Sequence, residues 1–182
     1  MTLITKESVE QAYEVLKEAV SHTPLQHDRY LSEKYQANVY LKREDLQKVR
    51  SFKLRGAYYA IKNRPQAELA NGVVCASAGN HAQGVAYTCN EIKVRAVIFM
   101  PTTTPAQKIS QVSFFGGDYV EIKLVGDTFD ASAQAAKDYA KENQMAFIDP
   151  FDDVDIIAGQ GTLALEMMND FSFDDVDYSL NL

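Results

Sequence analysis

Short apolar runs typical of buried strands alternate with longer amphipathic stretches typical of helices from about residue 38 onward. The strand candidates are residues 38–41, 73–76, 94–100, 119–125 and 146–148. Apolar residues at helical spacing occupy residues 9–19, 54–61, 82–89, 129–140 and 156–168. This alternation indicates βαβ units, and hence an open α/β fold with a parallel sheet. Ligands of such folds bind where strands end and helices begin.

Composition narrows the class of protein further. The 182 residues are 46% hydrophobic, which suffices for one domain with a core or for two small lobes. The net charge of −7 argues against a general nucleic-acid binder. No apolar stretch reaches the roughly 20 residues that cross a bilayer, and residues 1–20 lack the apolar core of a signal peptide. With only two cysteines, we expect a cytoplasmic protein without nucleic-acid or membrane partners.

The first strand-to-helix junction that could form part of a reactive site is the segment 51–57. Ser51 is predicted to cap a helix whose apolar face includes Leu54 and Ile61. Lys53 lies in the first turn of that helix, off the apolar face. Because the positive end of a helix disfavours an ammonium, this position should lower the pKa of Lys53 towards the neutral amine that Schiff-base chemistry requires. By spacing alone, a solvated surface lysine is the alternative.

The second junction, residues 77–84, directly follows a strand candidate. Its small residues Ser77, Ala78 and Gly79 would let the backbone approach a ligand. The helix start at Asn80 would offer free N–H groups to a carboxylate or a phosphate. The segment lacks the Gly-Lys-Ser/Thr ending of a P-loop, which argues against a nucleoside triphosphate. The alternative is a plain βα turn capped by Asn80.

His81, within that junction, could be a base, a metal ligand or a capping or packing residue. The other histidines, His22 and His27, are far away in sequence, and no His-x-x-x-His spacing occurs. We therefore expect capping or packing for His81, and no metal site.

Two later segments carry weaker signals. Gly159 and Gly161 formally match the dinucleotide fingerprint G-x-G-x-x-A. They follow the acidic residues 152–155 rather than a strand, so we expect these glycines to serve close helix packing. The acidic residues 170–177 could bind a cation, but their spacing matches no calcium loop, and a solvated loop is expected.

Several motifs, in order along the chain, resemble those of pyridoxal-phosphate enzymes with the tryptophan synthase β fold. Within that group the chain is similar to threonine dehydratases, and the matching segments are residues 22–25, 51–57, 77–84 and 157–162. The Lys-Arg-Glu-Asp run at 42–45 resembles the biosynthetic branch in particular. The resemblance implies an open parallel sheet in three-layer βαβ lobes. Residues 1–50 and 155–182 would belong to a larger lobe, and residues 51–154 would form a smaller one.

The resemblance also implies a role for each motif residue. Lys53 would form the Schiff base with pyridoxal 5'-phosphate and then remove the substrate α-proton. Phe52 would pack near the cofactor ring, and Asn80 would hydrogen-bond the ring hydroxyl. The substrate carboxylate would lie against Ser77, Ala78, Gly79, Asn80 and His81. The pyridine ring would store the electrons of the carbanion while the β-hydroxyl leaves.

The implied reaction converts L-threonine to 2-oxobutanoate and ammonia, a step of isoleucine and hence branched-chain amino-acid biosynthesis. Serine would give pyruvate by the same route. Full-length members of the family are expected to be homo-oligomers.

The chain departs from the family pattern near its end. The glycine-rich loop that binds the cofactor phosphate in the family has no counterpart after Tyr178. The change near Ser179 indicates a truncated or frameshifted reading frame, so we expect an incomplete catalytic domain that binds the cofactor weakly or not at all by itself and is weakly active or inactive. One alternative is a non-catalytic remnant whose open sheet edge pairs with another chain. The other is an NAD-binding oxidoreductase built on Gly159 and Gly161.

Overall fold

Helices and strands alternate along residues 4–171, the part of the chain that the computed structural model describes. The helices are α1 (Lys6–Leu16), α2 (Arg29–Tyr35), α3 (Lys53–Lys62), α4 (Gln66–Leu69), α5 (Asn80–Ile92), α6 (Ala106–Gly116), α7 (Phe129–Glu142) and α8 (Val154–Asp170). The strands are β1 (Leu25–His27), β2 (Tyr40–Lys42), β3 (Val73–Ala76), β4 (Ala96–Met100), β5 (Val120–Leu124) and β6 (Ala146–Phe147). Short 3-10 turns cover Glu44–Leu46 and Gly117–Tyr119.

Strands β3 to β6 form a parallel sheet in the order β5-β4-β3-β6. β3 and β4 are buried along their whole length, as is typical of parallel strands covered on both faces. Because successive side chains point to opposite faces, Cys75 and Ile98 pack with α5, whereas Val74 and Phe99 pack with α7. The sheet is therefore the middle of three layers, which confirms the predicted α/β fold with an open parallel sheet.

A second group of elements packs beside this sheet. β1 and β2 pair antiparallel, and α1, α3 and α8 share a core that includes Leu16, Leu54 and Ala158. α3 and α8 approach closely at Gly159, where an added Cβ would lie 2.7 Å from the carbonyl oxygen of Arg55 and 2.7 Å from the Cα of Gly56. The expected close packing is confirmed. Gly159 lies inside α8 rather than at the end of a strand, so the structure gives no support to a dinucleotide-binding turn.

A buried ionic cluster, which we call the Arg55 cluster, joins α3 to α8 and to the turn after β2. The Arg55 side chain is 0% exposed and donates to Glu44 at 2.9 and 2.7 Å and to Glu166 at 2.7 and 2.9 Å. Lys42 pairs with Glu166 at 2.8 Å, and the Thr23 hydroxyl donates to Glu44 at 2.6 Å. Burial opposes ionisation of Glu166, but hydrogen bonds from Arg55 and Lys42 outweigh it and lower the pKa of this carboxyl.

Local capping differs in detail from the sequence expectation. α3 begins at Lys53 with Phe52 at the capping position, and the Ser51 hydroxyl accepts a hydrogen bond from the Lys53 amide at 3.2 Å. Ser51 therefore supports the helix start from one residue further out than predicted.

Within residues 4–171, no helix combines the length and the apolar character that a membrane span needs. Of the acidic segment 170–177, only Asp170 and Phe171 fall within the described residues.

Candidate active site

Three of the strand-to-helix junctions meet around one cavity of about 240 Å³ at the carboxyl end of the sheet. Its walls include four of the predicted site residues, namely Lys53, Ser77, Asn80 and His81. Ala78 and Gly79 lie between two of them in the β3–α5 turn. The Phe52 ring centroid lies 5.6 Å from the Lys53 Nζ. The fold thus brings the two predicted segments together: residues 77–84 follow β3 at the carboxyl end of the parallel sheet, whereas residues 51–57 follow the antiparallel strand β2 beside that sheet.

Lys53 is half-buried, and its ammonium faces uncharged groups. Nζ donates to the carbonyl oxygen of Pro150 at 3.3 Å and lies 4.7 Å from the Phe151 ring centroid. No carboxylate within residues 4–171 forms an ion pair with it. Burial lowers the pKa of the Lys53 ammonium below its ordinary value. The predicted direction is confirmed, and its cause is the loss of hydration on burial.

The β3–α5 turn is open towards the cavity. The Ser77 hydroxyl accepts a hydrogen bond from the Gly79 amide at 3.2 Å, and a Cβ added to Gly79 would meet no atom within 4 Å. Gly79, not Asn80, occupies the capping position of α5, and no side chain caps the helix. The Asn80 side chain is exposed beside the cavity. The capping role considered for Asn80 is therefore wrong, and this side chain is available to a ligand.

His81 is buried below the cavity. Its Nε2 lies 3.3 Å from the carbonyl oxygen of Ile148, and its Nδ1 has no hydrogen-bond partner among the described residues. Burial lowers the pKa of His81 to about 4, so the imidazole is neutral at pH 7. A packed neutral histidine agrees with the sequence expectation. Within residues 4–171, no three His, Cys, Asp or Glu side chains come together as a metal site.

Comparison with known proteins assigns the chain to a family. The family model described as "Pyridoxal-phosphate dependent enzyme" matches residues 16–180. The chain belongs to this family. A biosynthetic L-threonine dehydratase of Lactococcus lactis is 62% identical over 165 residues, which is 91% of this chain and 40% of that relative. Its counterpart from Halalkalibacterium halodurans is 57% identical over 178 residues, covering 98% of this chain and 43% of the relative.

Solved structures give the same assignment. The processed form of threonine deaminase isoform 2 from Solanum lycopersicum superposes with a TM-score of 0.83 at 39% identity, over 92% of this chain and 47% of that one. The chain spans about two fifths of the length of the curated relatives it matches. The family identity confirms pyridoxal phosphate as the cofactor of this class of enzyme.

The cavity residues fit pyridoxal phosphate as a ligand. The Lys53 amine, which the motif resemblance predicts to be the point of attachment, has no ionic partner among the described residues and a lowered pKa. The space beside Gly79 is open, and the Nδ1 of His81 is a buried polar atom without a partner in this part of the chain. Aromatic side chains from two further elements, Phe129 and Phe151, face the same cavity and suit a planar ring.

Sequence reasoning missed Pro150, Phe151 and Phe129 as cavity residues. Phe129 is the first residue of α7, and Pro150 and Phe151 lie in the turn between β6 and α8. Their position after strands β5 and β6 was the available signal, because turns at the carboxyl ends of parallel strands share one edge of the sheet.

Acidification from about pH 7.5 to about pH 5 is expected to reduce the free energy of unfolding by about 2 kcal/mol through His81. The folded imidazole stays neutral down to about pH 4, whereas the unfolded one takes up a proton near its ordinary pKa of 6.5. Because the unfolded chain binds more protons in this range, stability falls as the pH falls. Urea titrations of His81→Gln should lack this decline, and His27→Gln, at an exposed histidine, should keep it. An undiminished decline in His81→Gln would contradict the assignment.

Proposed function

We propose that this chain carries the lysine-bearing part of a pyridoxal-phosphate-dependent L-threonine dehydratase, a lyase that yields 2-oxobutanoate and ammonia. The observation that carries the proposal is the Lys53 amine, which has a lowered pKa and faces the cavity beside the β3–α5 turn. The names of the relatives supply the substrate. Serine, giving pyruvate, is the second substrate of the proposal.

Each residue contributes a definite function in this proposal. Bound pyridoxal phosphate supplies a pyridine ring that stores the electron pair of a carbanion. The Lys53 amine would hold the cofactor through its aldehyde, and its Nζ would be the group that takes the α-proton of the substrate. Residues 77–81 bind the substrate carboxylate with backbone N–H groups at the start of α5, where the helix dipole favours an anion. Asn80 hydrogen-bonds the cofactor ring, and Phe52 packs near it.

The proposal extends to organisation and context. We propose that residues 51–154 form the smaller lobe of the catalytic domain, and that residues 1–50 and 155–182 belong to the larger one. The sheet β3–β6 and helices α5–α7 all lie within 51–154, which supports this division. We also propose that the protein forms homo-oligomers, that it acts in the cytoplasm, and that it takes part in amino-acid biosynthesis.

Covalent trapping is expected to place pyridoxal phosphate on Lys53 specifically. The protein is incubated with the cofactor and reduced with borohydride, and its peptides are then analysed by mass spectrometry. We expect the added mass on the peptide that contains Lys53, and a loss of at least tenfold in total label for Lys53→Ala. Because reduction makes each attachment irreversible, trapping detects a weakly bound cofactor.

The matched control is Lys62→Ala, at an exposed lysine at the other end of the same helix. It should retain the label on Lys53. Equal labelling of the exposed lysines, with no preference for Lys53, would refute a cofactor site here and leave the non-catalytic alternative. Ammonia release from L-threonine, compared with L-serine, then tests the substrate.

A further inference from the structure

The turn between β6 and α8 contacts the Lys53 amine from above the cavity. The carbonyl oxygen of Pro150 accepts a hydrogen bond from Nζ at 3.3 Å, and the Phe151 ring centroid lies 4.7 Å from the same atom. The Phe151 side chain is 67% exposed, so its ring is held by few packing contacts of its own. The face of an aromatic ring attracts a cation, and the Lys53 ammonium lies over this ring.

The chain holds this turn in place at both ends. The Asp149 carboxylate accepts hydrogen bonds from the amides of Phe151 and Asp152, each at 2.8 Å. Asp153 caps α8 by accepting from the amide of Asp155 at 2.8 Å. Both ends of the turn are therefore fixed by local hydrogen bonds, so the position of the Phe151 ring does not depend on burial of the ring itself.

The carboxylates of the β6–α8 turn bind other groups, so the Lys53 ammonium contacts uncharged partners. Asp149 directs a carboxylate oxygen to the amides of its own turn, and Asp153 pairs with Arg64 at 3.3 Å. His81, from α5, is neutral above about pH 4. The stabilisation that the charged amine receives from the described residues thus comes from one carbonyl oxygen and from aromatic rings, of which that of Phe151 is the nearer.

We propose that Phe151 is a positioning residue for Lys53. Together with the carbonyl of Pro150, its ring holds the charged Lys53 amine over the cavity. The inference rests on the proposed function only in that the proposed function gives the Lys53 amine its role in holding the cofactor. The contact itself concerns the free protein and is tested without cofactor.

Reductive methylation with formaldehyde and cyanoborohydride measures the reactivity of Lys53 as a function of pH, with the Lys53 peptide quantified by mass spectrometry. Only the neutral amine reacts, so the rate rises with pH to a plateau. Loss of the ring in Phe151→Leu should make Lys53 about two- to fivefold more reactive below the plateau, relative to its own plateau rate. Phe151→Tyr keeps an aromatic face and should behave as the unchanged protein.

Phe129→Leu is the matched control, because Phe129 lines the same cavity, whereas the rings found near the Lys53 ammonium among the described residues are those of Phe52 and Phe151. It should leave the pH profile of Lys53 unchanged. An unchanged profile in Phe151→Leu would overturn the proposal. So would a profile displaced to higher pH, which would mean that the ring acts by excluding water. Cofactor trapping on Lys53 is a separate measurement, so failure of the proposed function and failure of this contact give different results.

Discussion

Replacement of Arg55 by leucine is expected to lower the free energy of unfolding by about 3 to 5 kcal/mol. The guanidinium is 0% exposed and makes paired hydrogen bonds to Glu44 and to Glu166. Its removal leaves two carboxylates in a buried site, where Lys42 still pairs with Glu166 but Glu44 keeps no cationic partner among the described residues, only the hydroxyl of Thr23. Burial opposes the charge of Arg55, but its carboxylate partners outweigh that effect and raise its pKa, so it stays charged at any ordinary pH. Urea unfolding followed by circular dichroism gives the difference.

Two variants test the reason for this loss. Arg29→Leu removes an arginine whose pair with Glu33 is on the surface, and it should change stability by less than about 1 kcal/mol. Arg55→Leu combined with Glu44→Gln also removes the carboxylate that Lys42 does not pair with and keeps the Lys42–Glu166 pair, so it should recover part of the loss. If the double variant is less stable than Arg55→Leu alone, the loss comes from packing and not from unpaired charge.

The layered sheet could be predicted from the sequence because its signals are local. β3 and β4 are apolar runs buried on both faces, and each is followed by a helix with one apolar face. Helix starts were less well predicted, since several residues around a terminus can serve as the cap. Ser51 is an example: its hydroxyl accepts a hydrogen bond from an amide of the first turn, but from one position outside the cap.

The Arg55 cluster could not be predicted in the same way. Its members Arg55 and Glu166 are 111 residues apart, and pairing between such distant side chains leaves no periodic signal in one sequence. The motif resemblance singled out the segments 22–25, 42–45 and 51–57, but not the reason that they occur together. The structure supplies one, because Thr23, Lys42, Glu44 and Arg55 share this buried cluster.

The candidate site was predicted in part. Lys53 and residues 77–81 follow from position and resemblance, and the fold places them at one cavity. The contact of Phe151 with Lys53 was not predictable, because it depends on how the β6–α8 turn crosses α3. Turn conformation of this kind is set by side-chain hydrogen bonds such as those of Asp149.

Gly159→Ala is expected to lower the free energy of unfolding by about 2 to 3 kcal/mol, although alanine is the better helix former by about 1 kcal/mol. A Cβ at this position would lie 2.7 Å from the Arg55 carbonyl oxygen and from the Gly56 Cα. Both are backbone atoms of a packed helix, so neither can turn aside as a side chain would. α3 and α8 must therefore separate, which also strains the Arg55 cluster between them. Thermal or urea unfolding measures the effect.

Gly161→Ala, two residues further along α8, is the matched control. The three atoms nearest to its added Cβ all belong to the Val9 side chain, at 3.0 to 3.7 Å, and a side chain can move by a few tenths of an ångström. The gain in helix propensity then offsets the contact, and we expect a change within about 1 kcal/mol. A turn that binds a dinucleotide would need both glycines for its ligand and neither for folding. Equal stability of the two variants would therefore contradict the packing role of Gly159, whereas a loss confined to Gly159→Ala separates packing from ligand binding.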